Sequence, residues 1–144
     1  MKDLADANPE LAKDIMGIME SGNRLDARGD KDAARSAYHK AWGLLPEPKL
    51  EGPLLSAWIT GSFYNLHFDG GDFAVAKHWA QKSLQARESD IDTGPLIDLG
   101  MARFELEEHS EAYRCFDQAH RLGKARAFQG RPRKYLAFYL EKKP

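Results

Sequence analysis

Three stretches of the chain share one spacing of glycine, alanine and aromatic residues, and an internal repeat decides the architecture before any local motif does. In the third stretch, Leu96, Leu99 and Gly100 are followed by Ala112, Phe116 and Ala119. In the first, Ile18, Ser21, Gly22 and Leu25 lead to Ala34, Tyr38, Ala41 and Pro46, with the same twelve residues from glycine to first alanine. The second is looser: Ala57, Thr60, Gly61 and Tyr64 lead to Ala76, Ala80 and Ser83 over fifteen residues. Its three extra residues are assigned to the turn around Asp69-Gly70-Gly71-Asp72. The three glycines stand 39 residues apart. Small residues at Gly22/Ala34, Gly61/Ala76 and Gly100/Ala112 let two antiparallel helices approach closely, while Tyr38 and Phe116, one turn later, fill the space where they diverge. One such pair leaves an apolar face open, so pairs must stack.

Helix signals agree with three hairpins. Asn8-Pro9-Glu10 joins a preferred N-cap to a proline at the first helical position and opens a helix over about 9–28. Gly29-Asp30 breaks it, and Asp32 to Leu45 carries apolar residues at helical spacing until Pro46-Glu47-Pro48. The segment from Pro46 to Pro53, with three prolines and Gly52, reads as an ordered inter-repeat loop. Further helices are predicted near 54–68, 72–87, 95–107 and 109–122, with Gly123 as a stop. Pro132 opens a last helix with Tyr135, Leu136, Phe138, Tyr139 and Leu140, which caps the last repeat. The expected fold is all-α: one domain over 1–144, with repeats at about 15–48, 54–90 and 93–126 and a capping helix at about 132–142.

The L-x2-L-G and A-x3-F-x2-A registers resemble the tetratricopeptide repeat, a helix-turn-helix unit. The resemblance covers roughly residues 15–126, although no Trp stands at the opening position of any unit. It implies a tetratricopeptide-like array of three helical hairpins that binds other proteins along the first helices.

Composition narrows the function. Lys plus Arg number 21 and Asp plus Glu 22, a formal net charge of −1, which argues against a chain built for nucleic acid or anionic membrane. The hydrophobic 42% and charged 30% are those of a folded chain. No stretch approaches the ~18 apolar residues of a membrane span, and the start Met1-Lys2-Asp3-Leu4-Ala5-Asp6 lacks an apolar signal core, so the expected location is the cytoplasm. Cys115, alone, reads as a buried reduced thiol. His39, His67, His78, His109 and His120 lack the three- or four-residue spacing of a metal site, so no metal or other cofactor is expected. Ser62, His67 and Asp69 have the residue types of nucleophilic catalysis without a nucleophile turn or oxyanion hole, and no phosphate-cradling motif is present. The chain reads as a non-enzyme.

The candidate site is the stripe that the resemblance places on the inner face. On the first helix it holds Met16, Met19, Glu20, Asn23 and Asp26, apart from a core stripe of Ile18, Gly22 and Leu25. On the second pair it holds Leu55, Trp58, Ile59, Ser62 and Asn65; on the third Ile97, Asp98, Met101, Phe104 and Glu105. Met and aromatic anchors mixed with carboxylates suit an adaptable protein-binding surface. The expected partner is therefore a protein with a basic surface and an apolar anchor, and not the acidic tail that chaperone-binding tetratricopeptide domains grip. A separate run of six cations without an acid, Arg121 to Lys134, keeps nucleic acid as a disfavoured third possibility. The tail from Arg126 to Gly130 and Lys134 to Phe138 is also similar to small bacterial tetratricopeptide proteins encoded beside secreted toxins. That similarity implies an immunity protein that neutralises a toxin; an adaptor or co-chaperone is the alternative.

Overall fold

The computed structural model describes residues 4–51, 53–87 and 89–142. Met1-Lys2-Asp3 at the start, Gly52 in the inter-repeat loop and the last two positions of the expected domain lie outside the described residues. The architecture is all-α, without a strand among the described residues. A helical turn α1 (Leu4–Ala7) precedes seven longer helices: α2 (Pro9–Ala27), α3 (Lys31–Leu44), α4 (Pro53–Asp69), α5 (Phe73–Ala86), α6 (Gly94–Glu105), α7 (His109–Gly123) and α8 (Arg133–Lys142). Short 3-10 turns cover Lys49–Glu51 and Lys124–Phe128. Helices α2/α3, α4/α5 and α6/α7 pack as hairpins, and α3 on α4 and α5 on α6 join them into an array. The longer helices begin and end within two residues of the predicted boundaries, and α2, α3 and α5 carry explicit N-caps. Asn8 Oδ1 accepts from Leu11 N at 3.2 Å, with Pro9 opening the helix. Asp30 does the same for α3 (3.3 Å) and Asp72 for α5 (3.5 Å).

The three hairpin turns are copies of one another, and they correct the sequence register. In each, a residue of positive φ follows the first helix: Gly29 (84°), Gly71 (79°) and Glu107 (64°). In each, the next residue's N–H closes the helix end by donating five residues back, Asp30 to Leu25 O, Asp72 to His67 O and Glu108 to Arg103 O, all at 2.9 Å. This is the Schellman closure, which a left-handed residue makes possible. All three turns have the same length, so the second holds no insertion. Counting seven residues back from the left-handed position reaches Gly22, Tyr64 and Gly100; counting nine forward reaches Tyr38, Ala80 and Phe116. The partner of Gly22 and Gly100 is thus Tyr64, and Gly61 is not the repeat glycine. The even 39-residue spacing is a coincidence of loop lengths.

Local packing supports this reassignment. A Cβ on Gly22 would meet the Tyr38 ring at 2.6 Å, and one on Gly100 the Phe116 ring at 2.5 Å, whereas one on Gly61 would meet nothing within 4 Å. In the outer hairpins glycine on the first helix receives a ring from the second. In the middle hairpin the large residue, Tyr64, stands on the first helix and the small one, Ala80, on the second.

One core cluster runs through α2 to α5, with Ile15, Met19, Tyr38, Ile59, Phe63 and Trp79 at its centre. Phe63 stacks on Trp79 at 4.0 Å, and Trp42 meets Trp79 edge-on at 5.3 Å. The second cluster joins α6 and α7 to the C-terminal segment through Ile97, Met101, Phe116, Phe128, Tyr135 and Tyr139. The expected core stripe of α2 is displaced: Ile15, Met19 and Gly22 are buried, while Ile18 and Leu25 are only half-buried. The last helix covers α6 and α7 with Tyr135 and Tyr139, but Leu140 stays 51% exposed. Cys115 is buried, which pushes its thiol pKa up.

These contacts make opposite predictions for chemically identical substitutions. Gly100→Ala should lower stability by roughly 1–3 kcal/mol, since the ring of fully buried Phe116 has nowhere to go. Gly61→Ala should raise it by about 0.5–1 kcal/mol, the ordinary gain in a helix interior. Glu107→Gly should also stabilise, by about 1 kcal/mol, by relieving a left-handed glutamate. Urea unfolding midpoints of the three variants check the register directly.

Candidate protein-binding site

The stripe residues fall into four groups whose fates differ along the array. Asn23 on α2 and Trp58, Ser62 and Asn65 on α4 line one open depression of about 490 Å³, with Asp26 and Gly61 beside them. Trp58, Ser62 and Asn65 share a helix face by their four- and three-residue spacing. Bare Gly61 leaves the hollow next to the Trp58 indole, which is half-buried against the first core cluster. Tyr38, read from sequence as a core filler, reaches through from α3, and its hydroxyl donates to Asn23 Oδ1 at 2.7 Å. Burial, helped by the nearby Asp26 carboxylate, pushes that hydroxyl's pKa up to about 12, so it stays a donor at any physiological pH. Asp26 forms an ion pair with Lys31. The depression therefore offers an indole wall, two amides and the Ser62 hydroxyl, with Tyr38 buried behind Asn23.

Met16 and Glu20 stay exposed on α2, outside the lining of the depression. Met19 and Met101 do not face a partner. Met19 is fully buried in the first core and Met101 is 5% exposed in the second, because helical drift turns both onto the packed side.

Asp98 and Glu105 face the chain's own C-terminal segment. Arg131 Nη1 donates to Asp98 Oδ1 and lies 3.5 Å from Met101 Sδ. Lys134 pairs with Glu105 at 2.9 Å, and the Tyr135 hydroxyl donates to the same carboxylate at 2.7 Å. The acidic stripe of α6 and the basic run of 121–134, separate features in the sequence, neutralise each other. Burial pushes the Asp98 carboxyl up and the Arg131 guanidinium opposes it, with the net direction upward. Burial also pushes Glu105 up, but hydrogen bonds from Lys134 and Tyr135 outweigh it and hold the carboxyl below its usual value. Arg121 is held by Asp117 at 3.0 Å. Lys124, Arg126 and Arg133 have no ion-pair partner among the described residues.

The His67 imidazole lies 3.8 Å from Asp72, not Asp69, and burial lowers its pKa. No three His, Cys, Asp or Glu side chains gather as a metal site among the described residues, and no described helix is long and apolar enough to cross a membrane. No protein-family model and no curated protein matches the chain.

Two measurements test the internal pairing. Arg131→Ala should cost about 1–3 kcal/mol, since it leaves the Asp98 carboxylate covered and unpaired, while Asp98→Asn with Arg131→Met should recover most of that loss in urea unfolding. For Glu105 the folded value lies below the ordinary 4.5, so its bonds stabilise fully above that pH. That contribution is lost as pH falls through the lowered folded value. Glu105→Gln should flatten this acid limb of the stability curve.

Proposed function

We propose that the chain is a tetratricopeptide-type protein-binding module, without a catalytic role, and that a partner protein docks into the depression between α2 and α4. The observation that carries this reading is the half-buried Trp58 indole bordering an open hollow ringed by Asn23, Ser62 and Asn65. An aromatic wall with hydrogen-bonding groups around it is the composition of a binding hot spot. Asp26 lines the depression but is already paired with Lys31, which leaves exposed Glu20 on the same helix. Glu20 supports a partner with a basic group near an apolar anchor, a narrower demand than the whole acidic stripe implied. The more specific proposal is an immunity protein that occludes, in the cytoplasm, a toxin encoded beside it, resting on the C-terminal sequence similarity.

The test is co-expression of the full chain with the product of the neighbouring reading frame, followed by binding kinetics on the purified pair. Trp58→Ala should weaken binding by about 2 kcal/mol or more, chiefly through faster dissociation. Glu20→Lys should slow association and weaken its salt dependence. Both variants should show parental circular dichroism, and Trp58→Ala should fail to protect cells. A folded Trp58→Ala protein that binds and protects like the parent would remove the depression as the site.

A further inference from the structure

Helix α8 has two apolar faces. Tyr135, Phe138 and Tyr139 form the first, packed on the last hairpin: Phe104 meets Tyr135 at 5.4 Å and Phe138 at 5.0 Å, and Tyr113 stacks on Tyr139 at 5.2 Å. Leu136, Ala137 and Leu140 form the second. With Phe128 and Pro132 they line an open groove of about 670 Å³, bordered by Arg126, Arg131 and Arg133. Leu140 is 51% exposed there, and among the described residues nothing covers this side.

The position of α8 in the array explains its second face. It follows α7 as α4 follows α3 and α6 follows α5, so it stands where the first helix of a fourth hairpin would stand. Each earlier first helix is covered on two sides, by its neighbouring hairpin and by its own second helix. On α8 no second helix follows among the described residues, and the groove is the side of it left open. The groove border is basic: Arg131 is held by Asp98, whereas Arg126 and Arg133 are exposed and without an ion-pair partner among the described residues. An occupant that buries Leu136 and Leu140 must bring an apolar stripe, and one that approaches two free guanidinium groups must flank that stripe with carboxylates.

We propose that this groove docks an acidic amphipathic helix of a partner protein, which lies against α8 as the second helices lie against α2, α4 and α6. This surface is separate from the α2–α4 depression and selects the opposite sign of charge, so it stands or falls without that reading.

The probe is a capped, fluorescein-labelled helical peptide of about 15 residues, with leucines at i, i+3, i+4 and i+7 and glutamates flanking them, titrated with the full chain. Fluorescence anisotropy should show saturable binding that weakens with salt, and at least roughly tenfold weaker binding of the same peptide with lysine for glutamate. Arg126→Glu with Arg133→Glu should weaken the acidic peptide roughly tenfold or more, and Leu140→Asp should do so independently. Circular dichroism of each variant establishes that it is folded, and the depression is intact in all of them. Equal binding of the two peptides, no binding, or indifference to both sets of substitutions would overturn the proposal. So would a single-stranded oligonucleotide that competes with the peptide, or a dimer in sedimentation that Leu140→Asp dissolves, which would assign the groove to nucleic acid or to a second copy.

Discussion

The array depends on two helices of each hairpin approaching closely around one large side chain. Three identical turns set the geometry, and each puts the same two positions in register: seven residues before the left-handed residue and nine after it. Interiors pack at near-crystalline density, so what is constrained at that crossing is the combined volume of the pair, not which helix supplies it. Gly22 with Tyr38 and Gly100 with Phe116 meet it one way round; in the middle hairpin the same two positions hold buried Tyr64 and buried Ala80, with the sizes reversed. Putting the tyrosine on the first helix of the middle hairpin has a further effect. Its ring stacks on Phe68 at 5.4 Å, and its hydroxyl is buried without a hydrogen-bond partner among the described residues.

The C-terminal charge cluster changes how the inner face is understood. A stripe of carboxylates opposite a run of cations elsewhere in the chain reads as one surface for a basic partner and another for an acidic one. Folded, Arg131 and Lys134 neutralise Asp98 and Glu105, and Tyr135 adds its hydroxyl to the same site. The chain thus supplies to α6 the kind of ligand expected of a partner, basic and aromatic. What stays open lies at the two ends of this closure. One is the depression between α2 and α4, with Trp58; the other is the outer side of α8, with Arg126 and Arg133 outside any ion pair among the described residues.

Much of the fold was legible because its determinants are local. Asn8-Pro9, Gly29-Asp30 and Gly71-Asp72 state helix ends in the residues themselves, and alanine-rich stretches at helical spacing state which segments pair. That Trp58, Ser62 and Asn65 share the surface that lines the depression with Asn23 was legible for the same reason, since helical spacing alone puts the three on one face. Met19 was misassigned because position 19 lies only one residue from exposed Glu20, and a turn of about 100° per residue decides burial. Glu107 gave no sign of a left-handed turn, since that role is ordinarily filled by glycine. The 3-10 turn of Lys124–Phe128, which seats Phe128 in the core, likewise has no strong local signal.

By itself the sequence determined a helical chain, its helix limits, the hairpin pairing and the presence of a terminal apolar helix, because each follows from interactions within a few residues along the chain. Only the tertiary structure decided the register of the middle hairpin, the internal neutralisation of Asp98 and Glu105, and which side of α8 is left uncovered. Those depend on which residues meet after folding across separations such as the 33 positions between Asp98 and Arg131. Over such distances a spacing rule carries no information about direction, so charge and apolar surface could be counted in advance but not paired.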